Sequence, residues 1–369
     1  MNRNFTRMSH FQNSVPRHDD LKVQRKYPPK RGVLELAGVI SMWRIPFLTM
    51  LLLICLALSG CGEKKEKVYR VGILSEVEAF TMIADGFKAK MAELGYTEGK
   101  NISYDTMIAN MAPEQGKEAA QKFIRDDVDL IFAFPTDASL TVKKVALGTD
   151  IPVVFANANI EGTDLIENVR HPGDNITGVR FPGADNDVMR LEFLQKFVPR
   201  AKRVLILYDP NYPTTQIVAE ALREAAPSFG ITLLEDHVTS VEALKDTLNK
   251  RSALDDIGID AILIMPEFIN HTPDGFAAIL NFANEHKIPL GGGAPFTVEL
   301  GAIYTFHPDF YETGMLAATL TDKIFKGTPA GTIPVATPES HLIINYKALK
   351  ALGLPVNDGL LSRAKEIIR

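Results

Sequence analysis

Short apolar runs alternate with amphipathic segments along this chain, and the alternation runs twice. Tyr69 to Leu74 reads as a strand, and Ala79 to Leu94 as a helix with Phe80, Ile83, Phe87 and Met91 on one face. Gly95 ends it. A strand is expected over 101–108, a helix over 114–125, and a buried strand over 128–134, followed by a short helix and Pro152 to Phe155. After about Gly178 the pattern restarts, with strands over 203–208, 231–234 and 261–265 and helices over 215–227, 241–250 and about 274–286. Ile288 to Leu290 and Ala302 to Thr305 complete it. Near-continuous apolar strands separated by helices indicate parallel sheets covered on both faces. The expected fold is therefore α/β, with two doubly wound parallel-sheet lobes. Open sheets of this kind bind ligands at the carboxyl ends of their strands, so a cleft is expected between the lobes.

The N-terminal part obeys a different logic. Arg44 precedes an apolar run from Ile45 that ends in Leu58-Ser59-Gly60-Cys61, and a charged stretch, Glu63 to Lys67, follows. The run is short for a membrane span, which needs ~20 apolar residues, and its flanks suit a signal peptide. Two small residues before Cys61 resemble a bacterial lipoprotein signal, in which the Cys is acylated and becomes the first residue. That resemblance implies a leader over 1–60, with translation starting at Met42 and 1–41 an extension. It implies a lipidated linker over 61–67 and a domain tethered outside the cytoplasm, in the periplasm or at the cell surface.

From Cys61 onward the chain has 31 basic and 42 acidic residues, a net charge of −11. Such a surface repels nucleic acid and anionic headgroups, so no nucleic-acid partner is expected. Cys55 and Cys61 are the only cysteines, so the exported part must fold on its core without a disulfide. There is no phosphate loop and no GxSxG elbow. Gly291-Gly292-Gly293 lacks dinucleotide-binding spacing and reads as a tight turn with close backbone approach. The histidines are scattered, with no metal-ligand spacing. No cofactor, metal or catalytic residue is expected.

Four stretches carry a family resemblance. They are Gly86-Phe87 with Leu94 to Asn101 (LGYTEGKN), His171 to Gly178 (HPGDNITG), Val198 to Val204 (VPRAKRV) and Lys323 to Gly327 (KIFKG). In order and spacing they resemble the tryptophan/tyrosine-type ABC transporter substrate-binding proteins, over 67–368. The resemblance implies a type I periplasmic-binding fold whose lobes, joined by three crossovers, close on a solute that an ABC permease imports. Lobe one is expected over 67–180 and 296–334, and lobe two over 181–295 and 335–369. The protein would act as a monomer and perform no chemistry. A ligand-sensing input to a membrane signalling partner is the alternative, and an envelope enzyme a remote one.

The resemblance also implies binding positions. The family's Thr after the third strand is Thr136 here, whose hydroxyl and neighbouring helix N–H groups suit an anionic or carbonyl group. Asp137 either caps that helix or attracts a cationic group. Where the family is polar after two lobe-two strands, this chain has Pro266-Glu267-Phe268-Ile269-Asn270 and Gly293-Ala294-Pro295-Phe296. Both changes weigh against an amino-acid ligand and imply mostly apolar lobe-two walls. Ser75, Glu76, Asn157, Tyr208 and Tyr212 lie at strand ends facing the presumed cleft. The expected ligand-binding set is Thr136, Asp137, Ser75, Glu76, Asn157, Tyr208, Tyr212, Glu267, Phe268 and Ala294, with Cys61 the lipid site. Thr136→Val is expected to weaken binding and leave the ligand-free melting temperature nearly unchanged.

Overall fold

The computed structural model describes residues 67–369, apart from Val77, Met111, Pro213 and Asn357. The expected leader, the start at Met42 and the lipid site at Cys61 lie outside the described residues.

The first half builds a five-stranded sheet. Its elements are β1 (Tyr69–Ser75), α1 (Thr81–Glu93), β2 (Ile102–Ile108), α2 (Pro113–Arg125), β3 (Leu130–Phe134), α3 (Thr136–Ala146), β4 (Val153–Ala158) and β5 (Ile176–Arg180). The strand order is β2-β1-β3-β4-β5, and every pairing is parallel. β3 and β4 are buried along their whole length, which is why both read as unbroken apolar runs. α1 buries Ile83, Phe87 and Met91 at the expected spacing, and Gly95 follows it at a φ of 96°.

The second half continues with α4 (Ala184–Phe197), β6 (Arg203–Tyr208), α5 (Thr215–Ala225), β7 (Thr232–His237), α6 (Val241–Ser252), β8 (Ala261–Leu263) and α7 (Phe268–His271). Then come α8 (Pro273–Glu285), β9 (Leu290–Gly291), α9 (Pro295–Leu300), β10 (Tyr304–Pro308) and α10 (Phe310–Phe325). β11 (Ser340–Asn345), α11 (Tyr346–Ala351), α12 (Asp358–Leu361) and β12 (Ala364–Ile368) end the chain. The second sheet has seven strands, in the order β12-β11-β10-β9-β8-β6-β7. It is parallel except between β10 and β11.

The chain crosses between the sheets three times: after β5, after β10, and between Ala336 and β11. The expected second crossing, at about residue 296, is displaced. β10 pairs with β9 and β11 in the second sheet, so the return comes after Pro308. α10 then docks on α1 in the first lobe. The two helices meet at glycines, because a Cβ on Gly86 would stand 2.0 Å from the Tyr311 carbonyl oxygen and one on Gly314 1.9 Å from that of Ile83. Tyr69 stacks on Phe325 at 3.9 Å between ring centroids and closes this side of the lobe.

A candidate ligand cleft between the lobes

Strand ends from both sheets surround a cavity of about 90 Å³. One water needs ~10–15 Å³ on this measure, so an organic group of several heavy atoms fits. Lobe one supplies Glu76, Phe80, Thr136, Asp137, Asn157 and Asn159, and the first crossing adds Phe181. Tyr212, Pro266, Glu267, Phe268, His271, Gly293, Ala294 and His307 close the other side.

Each side chain is placed by local backbone. Glu76 follows β1, and its N–H donates to the Phe134 carbonyl at 3.0 Å, which sets it against the start of α3. There the nearby Ala138 N–H favours its ionised form. A carboxylate of the chain therefore lines the cavity beside the helix end expected to receive a ligand anion. Asn157 sits at a register shift in β4, with φ at 50°. Such a bulge re-aims a side chain, and a left-handed non-glycine residue carries strain characteristic of functional positions. Asn157 is only 8% exposed, and its Oδ1 has no hydrogen-bond partner.

In lobe two, Glu267 caps α7 by accepting from the Ile269 N–H at 3.0 Å and the Asn270 N–H at 2.9 Å. His271, one turn on, donates from Nδ1 to the Glu267 carbonyl at 2.8 Å. His307 donates from Nδ1 to the Pro308 carbonyl at 2.7 Å. A carbonyl only accepts, so both rings keep Nε2 as a bare acceptor. Gly293 is required here, because a Cβ would lie 2.5 Å from His271 Nε2.

Burial sets the protonation of these groups. It raises Glu76 to about 7, helped by the charge of Asp137 and opposed by the Ala138 N–H. It also raises Glu267 to about 7, against the pull of the Ile269 and Asn270 N–H groups. Asp137 is raised by burial and held back by the hydroxyl of Tyr212. Burial lowers His271 to about 4 and His307 to about 3, so both are neutral at pH 7.

Eight of the ten expected binding residues line this cavity: Glu76, Thr136, Asp137, Asn157, Tyr212, Glu267, Phe268 and Ala294. Ser75 and Tyr208 do not. Ser75 is fully buried at the end of β1. Tyr208 stands at the expected strand end but points the other way. Its ring packs in the lobe-two core, and its hydroxyl donates to Glu235 at 2.6 Å. On the lobe-two wall, expected to be mostly apolar, Glu267, His271, His307 and Tyr212 stand among Pro266, Phe268, Gly293 and Ala294. Thr136 has a structural duty as well, because its Oγ1 accepts from the Asn159 N–H at 3.1 Å. A valine there would orphan a buried donor, so an unchanged melting temperature is not expected.

Beneath the lobe-two wall lies an ion pair that the sequence did not reveal. Arg190 of α4 is fully buried and pairs with Asp187. Its guanidinium also donates to the Ile264 carbonyl and to that of Gly292, the latter at 2.9 Å. It therefore ties together the segments after β8 and β9 from which Glu267, His271 and Gly293 project.

Comparison with known proteins agrees with this architecture. A curated tyrosine-binding protein of Clostridioides difficile is 25% identical over 295 residues, 79% of this chain and 82% of the relative. A crystal structure of a conserved domain protein from Vibrio cholerae is 25% identical, with a TM-score of 0.72 over 82% of this chain and all of that one. A Streptococcus pneumonia protein solved with L-Trp shares the fold at 22% identity, with a TM-score of 0.73 over the same share of each chain. The family model described as ABC transporter substrate binding protein matches residues 70–368. Two α/β lobes, strand ends converging on one cavity and this match agree: the chain belongs to the ABC transporter substrate-binding protein family.

Proposed function

We propose that this protein is a lipid-anchored, extracytoplasmic receptor that captures a small organic solute and hands it to an ABC importer, without performing chemistry. One observation carries the reading. The cavity is walled by both lobes and spanned by a hydrogen bond from Tyr212 to Asp137, so ligand contacts are complete only when the lobes are together. Three crossings supply the hinge. The lipid on Cys61 rests on Leu58-Ser59-Gly60-Cys61 and the charged linker after it.

The known ligands of relatives frame the solute. Tyrosine, named for the Clostridioides difficile relative, and the L-Trp of the Streptococcus structure each carry an ammonium, a carboxylate and an aromatic ring. The carboxylates here suit an ammonium, and Phe80, Phe181 and Phe268 suit an apolar body.

Small-angle scattering tests the receptor reading. Adding the solute identified by mass spectrometry of co-purifying small molecules should compact the protein. A profile unchanged at saturating solute would overturn closure. Cys61→Ala should release the protein from membranes or trap its precursor. An intact mass showing cleavage elsewhere and no acyl chain would overturn the anchor.

A further inference from the structure

We infer that His307 sets the specificity of the cleft: its Nε2 accepts a hydrogen bond from an N–H or O–H carried on the apolar body of the solute. The inference deepens the receptor reading above and rests on it.

The lining holds one continuous aromatic cluster. Between ring centroids, Phe181 lies 5.3 Å from His307, His307 5.0 Å from Phe310, and Phe310 5.2 Å from Phe80. Phe80, Phe181 and His307 themselves line the cavity. Such rings cover an apolar or aromatic body. Of the four, only His307 carries polar atoms. Glu76, Thr136, Asp137, Asn157 and Asn159, at or near the strand ends of lobe one, offer acceptors and donors for the solute's charged groups.

His307 is more than one further ring. Its Nδ1 donates to the Pro308 carbonyl at 2.7 Å, so Nε2 is an acceptor without a proton. The residue is 4% exposed, and burial keeps it neutral at pH 7. An acceptor buried among phenyl rings costs free energy until a donor reaches it. A solute that packs its apolar body here and brings an N–H or O–H satisfies that acceptor. One of the same shape without the donor leaves it bare and is rejected. His271, the other imidazole of the lining, stands apart from this cluster. Its ring meets Phe296 at 5.8 Å, and its Nε2 lies against Gly293. Place matters as well. Phe181 opens the first crossing and His307 stands just before the second, so the solute is read where the lobes pivot.

The test uses matched pairs. The full chain, purified in detergent, is titrated by calorimetry with L-tyrosine beside L-phenylalanine, and with L-tryptophan beside its indole-N-methyl derivative. In at least one pair the donor-bearing member should bind ~10- to 100-fold more tightly. His307→Asn keeps a donor for the Pro308 carbonyl and withdraws the outer acceptor, so it should bring the two members to within about 3-fold of each other. His307→Gln places an amide oxygen at about the reach of Nε2 and should restore part of the ratio. Equal affinities within both pairs, or a ratio that His307→Asn leaves intact, would overturn the inference. Failure of all four to bind would overturn it too, and a deproteinised cell extract then separates the two readings. A solute retained from that extract after rapid desalting, identified by mass spectrometry, would leave the receptor reading standing. Retention of nothing would overturn that reading as well.

Discussion

Tyr212 Oη donates to Asp137 Oδ2 at 3.1 Å, and the two residues belong to opposite lobes. Burial drives the tyrosine well above its ordinary value and the charge of Asp137 adds to it, so the hydroxyl stays a donor throughout the neutral range. The bond acts as a latch on the closed arrangement. Tyr212→Phe keeps the ring and removes the donor. Ligand-free protein should then expand in scattering, and affinity should fall about 10-fold as the closed fraction drops. Equal radii for the variant and the parent would show that the latch does not hold the lobes.

Binding of a solute through its ammonium group should tighten by roughly tenfold as pH rises from 6 to 8, because one carboxyl that must be ionised costs a factor of ten per pH unit below its pKa. Glu76 and Glu267 both titrate at about 7. Glu76 faces Asp137, and Glu267 lies in the field of Asp209, while Tyr212 feels both glutamates. His271 and His307, at about 4 and about 3, do not titrate in this window. Calorimetry in buffers of different ionisation enthalpy should find protons released on binding near pH 7. Proton uptake would contradict the assignment.

The same two glutamates fix the sign of a stability effect in the ligand-free protein. Their folded values lie above the unfolded one of about 4.5. The folded state therefore binds more protons between about 4.5 and 7. Their contribution is fully present below that window and is lost as pH climbs through 7. Glu76→Gln should flatten this part of a denaturation profile, and an unaltered slope would exclude Glu76 as its source.

Thr136→Val should destabilise the ligand-free protein by ~1–3 kcal/mol, since the buried Asn159 N–H loses its acceptor. Thr136→Ser keeps the hydroxyl and should recover most of that loss in urea denaturation. Parallel losses in both variants would point to packing of the methyl group instead.

Arg190→Met leaves Asp187 buried without its partner, and it should cost ~3–5 kcal/mol. Replacing both residues, Asp187→Leu with Arg190→Met, should cost less than Arg190→Met alone. Any loss of ligand affinity that survives in the double variant measures the positioning of the segments after β8 and β9.

Much of the fold was legible in the sequence because buried parallel strands announce themselves. β1, β3, β6 and β8 are nearly continuous apolar runs bounded by polar turns. β11 and β12 gave no such signal. They form one margin of the second sheet, are only partly buried, and β11 opens on Ser340 and His341. β10 was recognised but assigned to the wrong lobe, since local pattern says nothing of which sheet a strand joins. In the cleft, Thr136 and Asp137 followed from the family resemblance, and Glu76 from the strand-end rule. Tyr208 misled it, because adjacent positions at a strand end face opposite sides of the sheet. Phe80, Phe181, His271 and His307 come from a short turn, a crossing, a helix and the end of β10. Only the tertiary fold collects them.

The docking of α10 on α1 has a consequence for how the protein is made. Tyr96 donates to Asp322 at 3.1 Å across 226 residues of sequence. A growing chain that has finished its first five strands therefore has one face of that sheet covered by α1 but not yet by α10. That second helix is synthesised only after most of the second lobe. Each lobe is completed by segments from the last part of the chain, α10 for the first and β11 with β12 for the second. The two lobes are thus finished together, at the end of synthesis, rather than one after the other.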